Sequence, residues 1–422
     1  MNVIMCQCLL ALRQAPALRI RGRYDRALAM EEELCEMFDG TRINGACDPA
    51  FEMVKAEFTR NFTERGELGA AVCVTLDGEV VVDLWAGWAD EERRRPWQSG
   101  TLTNVWSAGK GVTAIVAHRL ADQGELDLDA PVAAYWPEFG AAGKQDIPVR
   151  WVLSHRSGVC GVDLDHPLRV SDLYDWERMT SLLAVQEPFF QPGSVSGYGA
   201  LSYGYLVGEI VRRATGSTID VLCAENVAGA VGADFHLGLS AGDLERCSEM
   251  VEPEPDPELE SALAAAFASA GPAAQAALLN PRPLGRHANA SEWRRAVIPS
   301  AGAHATARAL ATIYGALADG SEKLLSTPAL DRARAGQGRC VDVVAGVGGE
   351  FALGFTLGSD EHSFGPNRLA FGHDGFGGST GYADPESGIG MGYVMNRMGP
   401  LLRDDPRKMA LVNAVHGSLA DR

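Results

Sequence analysis

From Gly69 to Asp90 the chain reads GAAVCVTLDGEVVVDLWAGWAD, two β-rich apolar runs on either side of Asp77-Gly78. An Asp-Gly pair readily takes the left-handed conformations of a two-residue hairpin turn, so the pattern predicts two antiparallel strands. The period then changes. VTAIVAHRL, Val112 to Leu120, carries apolar residues at helical spacing, and Gly124 closes the segment. AHATARALATIYGALADG, starting at Ala303, predicts a second amphipathic helix that ends at a glycine. Beyond it, CVDVVAG, EFALGFTLGS and RLAFGHDGFGGSTGYADPESGIGMGYVMNRM return to strand-like runs broken by turns.

The middle of the chain, about residues 120 to 295, reads as helix and loop with many punctuating Gly and Pro. FFQPGSVSGYGALSYGYLVGEIVRRATG, Phe189 to Gly216, is a proline-glycine turn followed by a helix with Leu201, Tyr205, Leu206, Ile210 and Val211 on its apolar positions. EMVEPEPDPELE, Glu249 to Glu260, reads as a solvated acidic loop. An alanine-rich helical run follows, broken at Gly271-Pro272. Near the start, YDRALAMEEELCEMFDG predicts a short helix in an extension outside the main fold.

Strands at both ends with helices between them imply one sheet built from both termini and a helical part inserted into it. The expected organisation is an N-terminal extension over 1–45, an α/β domain from 46–119 and 296–422, and a helical domain over 120–295. A chain of 422 residues is long enough for about two or three such units.

Composition narrows the function classes. With 37 basic and 55 acidic residues the net charge is −18, which opposes nucleic acid and anionic membrane surfaces. No stretch approaches the ~20 apolar residues of a membrane span. The first residues lack the leading positive charge and cleavage site of a secretion signal. Nine scattered cysteines without a C-x-x-C pair suggest neither a disulfide framework nor a zinc knuckle, and point to reduced thiols in the cytoplasm. There is no H-E-x-x-H, no P-loop and no G-x-G-x-x-G between a strand and a helix, so no metal or nucleotide cofactor is expected. Oligomeric state is not readable.

Candidate chemistry begins in NVWSAGKGVTAIV, where Ser107 and Lys110 stand three residues apart at a helix mouth. Residues i and i+3 share a helix face, and the unpaired N–H groups of the first turn favour an anion. A lysine serves as base only when burial or a nearby cation lowers its amine, normally near ~10.4. Its neighbours Val105, Trp106, Ala108, Gly109 and Gly111 are apolar or small and suit such an environment. By itself Ser-x-x-Lys also describes an ordinary capped helix start. Two further segments add to it: Tyr198, presented at a loop–helix junction, and Leu369 to Pro385, whose glycines let a ligand approach the backbone.

Ser107-Ala-Gly-Lys110, the Gly-Tyr-Gly-Ala run at Tyr198, and FGHDGFGGSTGYADPESGIGMGYVMNRM stand in one order along the chain. Together they resemble the family VIII carboxylesterases, serine enzymes related to class C β-lactamases and D-Ala-D-Ala carboxypeptidases. DIPVRWVLSHRSGV, Asp146 to Val159, and AHATARALATIYGAL add to a likeness covering roughly residues 47 to 415. It implies an α+β, β-lactamase/transpeptidase-like fold, an antiparallel sheet flanked by helices with a mostly helical insertion. It also implies metal-free hydrolysis of small-molecule esters, short-chain acyl esters first, through an acyl-serine. Ser107 would be the nucleophile, with Lys110 and Tyr198 sharing the work of base and acid; which of them is the base stays open. The oxyanion would lie between the backbone N–H groups of Ser107 and Phe376, with His373, Gly375 and Gly377 against substrate. Related alternatives are a β-lactamase, a D-aminopeptidase, an acyltransferase, or a penicillin-binding-like sensor without turnover.

Two departures favour a simple ester. The β-lactamase and peptidase branches carry Lys-Thr-Gly where this chain has His373-Asp374-Gly375, and Tyr-x-Asn where Tyr198 is followed by Gly199 and Ala200. One motif competes: Gly377-Gly378-Ser379-Thr380-Gly381 fits G-x-S-x-G, the nucleophile elbow of α/β-hydrolases. That elbow requires a following helix, whereas a turn and a strand are expected here, so Ser379 is read as part of a glycine-rich turn. His155 and His304 are read as structural histidines.

Overall fold

The computed structural model describes residues 37–38, 41–253, 256–282, 284–359, 364–400 and 404–420. Its centre is a seven-stranded antiparallel sheet. From edge to edge the strands are Thr356–Leu357, Phe371–Asp374, Thr380–Asp384, Ile389–Met395, Gly69–Leu76, Glu79–Gly87 and Asn44–Cys47. The two halves of the sheet, from opposite ends of the chain, meet where Met391 pairs with Val74 and Tyr393 with Val72. The predicted hairpin closes through Asp77 and Gly78, both at positive φ, 51° and 80°.

The strand Gly69–Leu76 is buried on both faces, which is why its sequence is a continuous apolar run rather than an alternation. Ala70, Val72 and Val74 face one apolar cluster, with Val54, Phe58, Leu411, Val412 and Val415 from the helices Glu52–Glu64 and Pro406–Ala420. Ala71 and Cys73 face the other, larger cluster, which continues into the helical region. There the helix Ala307–Ala318 lies against Ile389–Met395. A Cβ on Gly390 would stand 2.2 Å from the backbone N of Gly315, and one on Gly392 2.2 Å from the carbonyl of Ala307. The two glycines thus permit the close seating of helix on sheet. Thr306 caps this helix, its hydroxyl accepting the N–H of Ala309.

Helices dominate between the two halves of the sheet, as the pattern predicts. Gly109–Asp122 runs through the boundary expected after residue 119 and packs against Ser202–Thr215. The middle region also supplies a strand. Phe235–Leu237 pairs with Ala303–Ala305, which pairs on its other side with Thr103–Asn104. Asn44 and Gly45, expected in the N-terminal extension, lie in the edge strand of the main sheet, where backbone pairing with Leu84 and Trp85 recruits them. Most of the short helix expected over Tyr24 to Gly40 lies outside the described residues, and Met37–Phe38 is a strand paired with Thr41–Arg42. The C-terminal part of the acidic run, expected as loop, opens a helix at Pro257 that reaches Ser269; a second helix starts at Pro272.

The cysteines described, Cys47, Cys73, Cys160, Cys223, Cys247 and Cys340, are unpaired. Among the described residues no helix is long and apolar enough to cross a membrane, and no His, Cys, Asp and Glu group could hold a metal ion.

Candidate active site

Ser107 lies in a single 3₁₀ turn, Trp106–Ala108, which runs directly into the helix Gly109–Asp122. The small sheet positions this turn: Asn104 pairs with His304, and the N–H of Val105 donates to the carbonyl of Ala303 (2.8 Å). Beneath it, Trp293 Nε1 donates to Asn104 Oδ1 (3.0 Å), and its ring packs 5.7 Å from that of Trp106. Trp106 has φ +50°, an unfavourable left-handed conformation for a bulky residue, held by burial between Trp293 and Phe376. The strain stands immediately before Ser107.

Lys110 extends from the first turn of the helix and is fully buried. Its Nζ is 2.9 Å from Ser107 Oγ, and it donates to the carbonyls of Ala200 (2.9 Å) and Ser300 (3.0 Å). Among the described residues no carboxylate pairs with it. Desolvation therefore lowers the amine well below its ordinary 10.5. A neutral amine has two N–H donors and one lone pair. Two of its three neighbours are carbonyls that can only accept, and the third is a hydroxyl that can donate.

Tyr198 arrives from the loop before the helix Ser202–Thr215. Lys110 Nζ stands over its ring, 4.9 Å from the centroid. The ring stacks on Phe351 (6.2 Å, 11° between planes) and lies 6.0 Å from that of His373. The structure thus gathers the neighbours Ser107 and Lys110 with Tyr198 and His373 from distant parts of the chain.

The glycine-rich turn after His373 joins the antiparallel strands Phe371–Asp374 and Thr380–Asp384. It abuts the serine segment from the other side. A Cβ on Gly375 would lie 2.2 Å from the Val105 carbonyl, and the Phe376 ring is 5.7 Å from that of Trp106. Gly377 is held from behind, its carbonyl accepting from Arg407 Nη2 (2.9 Å). Ser379 is fully buried and donates to the Val105 carbonyl (2.9 Å). No helix follows it. The G-x-S-x-G match is a strand turn that pins the serine segment, not an elbow.

Among the described residues, Ser107 Oγ has Lys110 as its side-chain partner, not a histidine. His304 is buried, bonded through Nδ1 to the Gly302 carbonyl (3.0 Å), and desolvation pushes it down to about 3. His155 has a left-handed φ of +60° and packs its ring 5.0 Å from that of Tyr198. Asp374 faces away from His373 in the strand alternation. It accepts from Thr380 Oγ1 (2.7 Å) and pairs with Lys408 (3.1 Å).

Sequence reasoning missed the carbonyl groups of Ala200 and Ser300, because main-chain acceptors carry no residue signature. Ser300 does double duty: its carbonyl receives Lys110, and its hydroxyl accepts the Gly204 N–H (2.6 Å) in the first turn of the helix Ser202–Thr215. Trp176, far from this cluster in its bonding, donates Nε1 to Glu209 (2.9 Å).

Known proteins carry the same arrangement of elements. The family described as Beta-lactamase matches residues 56–415. The esterase/beta-lactamase LipL of Mycobacterium tuberculosis is 37% identical over 388 residues, which cover 87% of this chain and 86% of LipL. A crystal structure of a family VIII carboxylesterase superposes with a TM-score of 0.82 at 39% identity, covering 89% of this chain and 99% of that one. A penicillin-binding protein homologue from Caulobacter crescentus does so with a TM-score of 0.81 at 38% identity, over 89% and 99% of the two chains. The chain belongs to the beta-lactamase family, with the β-lactamase/transpeptidase-like fold that it shares with these carboxylesterase relatives.

Proposed function

We propose that the protein is a carboxylesterase that cleaves small esters through an acyl-Ser107 intermediate, with Lys110 as the base. The observation that carries this reading is the environment of Lys110: full burial, no carboxylate partner among the described residues, and two carbonyl acceptors that leave its lone pair for the Ser107 hydroxyl. The carboxylesterase relatives at 37–39% identity support an ester as substrate.

In the acylation step Ser107 Oγ bonds to the ester carbonyl carbon while its proton passes to Lys110 Nζ. The negative carbonyl oxygen is received by the N–H groups of Ser107 and Phe376, on the two segments that Ser379 ties together. Collapse re-forms the carbonyl and breaks the bond to the alcohol oxygen, which takes the proton from Lys110, with Tyr198 on its path. Water then attacks the acyl carbon, gives its proton to Lys110, and the carboxylic acid leaves as Ser107 recovers its hydrogen. Tyr198, under the Lys110 amine, and His373 flank the space for the substrate. His373 and Asp374 stand where the Lys-Thr-Gly motif carries its lysine and its hydroxyl, and Asp374 is tied to Lys408 and Thr380, which favours esters over β-lactams. The unpaired cysteines suit a reducing cytoplasm.

The test is intact-mass analysis after incubation with an ester-mimicking phosphonate, with the adduct mapped, alongside turnover of short-chain p-nitrophenyl esters. The expected result is one adduct on Ser107 and loss of both adduct and turnover in Ser107→Ala. An adduct on Ser379, or turnover that survives Ser107→Ala, overturns the reading.

A further inference from the structure

Tyr198 sits in a loop between two glycines, a segment that would ordinarily be loose. A Gly-Tyr-Gly backbone pays a large entropy to hold one conformation. Here its three consecutive N–H groups are each taken by an acceptor from outside the segment. Gly197 N–H donates to the His155 carbonyl (2.9 Å), Tyr198 N–H to Asp342 Oδ1 (3.2 Å), and Gly199 N–H to His155 Nδ1 (3.2 Å). His155 thus holds both neighbours of Tyr198, one with its backbone and one with its ring.

We propose that His155 and Asp342 are positioning residues that together clamp the Tyr198 segment and set the phenol against Lys110. The inference rests on the acyl-serine reading above. His155 has a left-handed φ of +60°, and its carbonyl and its ring nitrogen accept from the same loop segment. Its ring is buried and packed 5.0 Å from Tyr198, 4.9 Å from Tyr203 and 4.8 Å from Phe351. Asp342 comes from the loop after Cys340–Val341 and is 3% exposed. The same Oδ1 also accepts the N–H groups of Val344 (2.9 Å) and Ala345 (2.8 Å), so the carboxylate is itself held in place. Val343 N–H adds a bond to the Ser196 carbonyl (2.9 Å), docking the loop along the residues before Tyr198. The two clamp residues are separated in sequence and accept from consecutive N–H groups of one segment.

The clamp is tested by pairs of variants that separate acceptor from shape. His155→Gly keeps the left-handed backbone and removes the ring acceptor, whereas His155→Asn tolerates the same φ and restores an oxygen near the Nδ1 position. Asp342→Ala and Asp342→Asn form the second pair, which keeps the test open if His155→Gly fails to fold. Turnover of a p-nitrophenyl ester is normalised to sites titrated by the phosphonate, so that misfolded protein does not count. A displaced tyrosine should lower kcat per site by about 10- to 100-fold in His155→Gly and Asp342→Ala, with KM within about twofold. Both asparagine variants should return to within about threefold of the parent. Unchanged kcat per site with only a lower melting temperature overturns the clamp, as does a loss that the asparagines do not restore. Turnover that persists in a parallel Ser107→Ala sample instead overturns the acyl-serine reading, and the clamp that rests on it falls with it.

Discussion

Three lysines are buried, Lys110, Lys144 and Lys408, and the protein solvates the first and the last in opposite ways. Lys110 is offered two carbonyls and a serine hydroxyl. Lys408, 1% exposed, is placed between the carboxylates of Asp374 (3.1 Å) and Asp404 (3.0 Å). An amine stripped of water and given no counter-charge loses its proton readily; an amine given two carboxylates forms a cation that holds them together. The first arrangement leaves a lone pair for chemistry. The second secures the root of the glycine-rich turn, since Asp374 is the last residue of the strand before Gly375. On the proposed mechanism, reactivity comes from what is withheld from Lys110, rigidity from what is supplied to Lys408.

The comparison breaks first at Lys110. Lys110→Met should lower ester turnover by about 10³- to 10⁶-fold, the scale seen when one member of a catalytic unit is removed. In the parent, turnover should fall as acid protonates the amine, because an ammonium cannot take the serine proton. Stability carries the same signature. Below 10.5 the unfolded chain binds a proton on Lys110 that the folded chain sheds, so this group favours folding more as pH rises toward that value. Denaturation of the parent and of Lys110→Met across the alkaline range should therefore show the difference moving in favour of the parent with rising pH, and a constant difference would count against a neutral amine.

Lys408→Met sharpens the other side. Removing the cation takes from buried Asp374 its ion pair with Lys408, a loss of about 3–5 kcal/mol in chemical denaturation. Adding Asp374→Asn should recover part of it, since the amide still accepts from Thr380. Equal stability of parent and Lys408→Met would erase the distinction between the two lysines. The smallest effect belongs to Ser379→Ala, which deletes the bond to the Val105 carbonyl at a cost of about 1 kcal/mol and should leave ester turnover within a few-fold of the parent. Abolished turnover with an intact fold would restore the elbow reading.

Much of this was legible in the chain. The Asp77-Gly78 hairpin, the helix after Lys110 and the helix ending before Gly320 follow from local periodicity and turn chemistry, which need no distant partner. The C-terminal strands were legible as a group, although Thr356–Leu357 is only two residues long. The helix at Pro257–Ser269 was half hidden, because proline and acidic residues at its start read as loop when they also suit a first helical turn. The edge strand at Asn44–Cys47 was hidden entirely: NGAC has no strand pattern and takes its conformation from pairing with Glu79–Gly87.

The site divides the same way. Ser107 and Lys110 share a face of one helix start, so their meeting was a matter of local geometry that residue spacing determines. The order of the three motifs was enough to name Tyr198 and the His373 turn beside them. What spacing could not supply was the state of the amine, because its proton depends on the solvent and counter-charges removed by folding. Those are set by the carbonyls of Ala200 and Ser300, contributed from segments 90 and 190 residues away in the chain. Side-chain identity therefore specified which groups were available for chemistry. Only the tertiary structure, by excluding water and choosing carbonyls over carboxylates as neighbours, decided that Lys110 goes without the counter-charge that Lys408 is given.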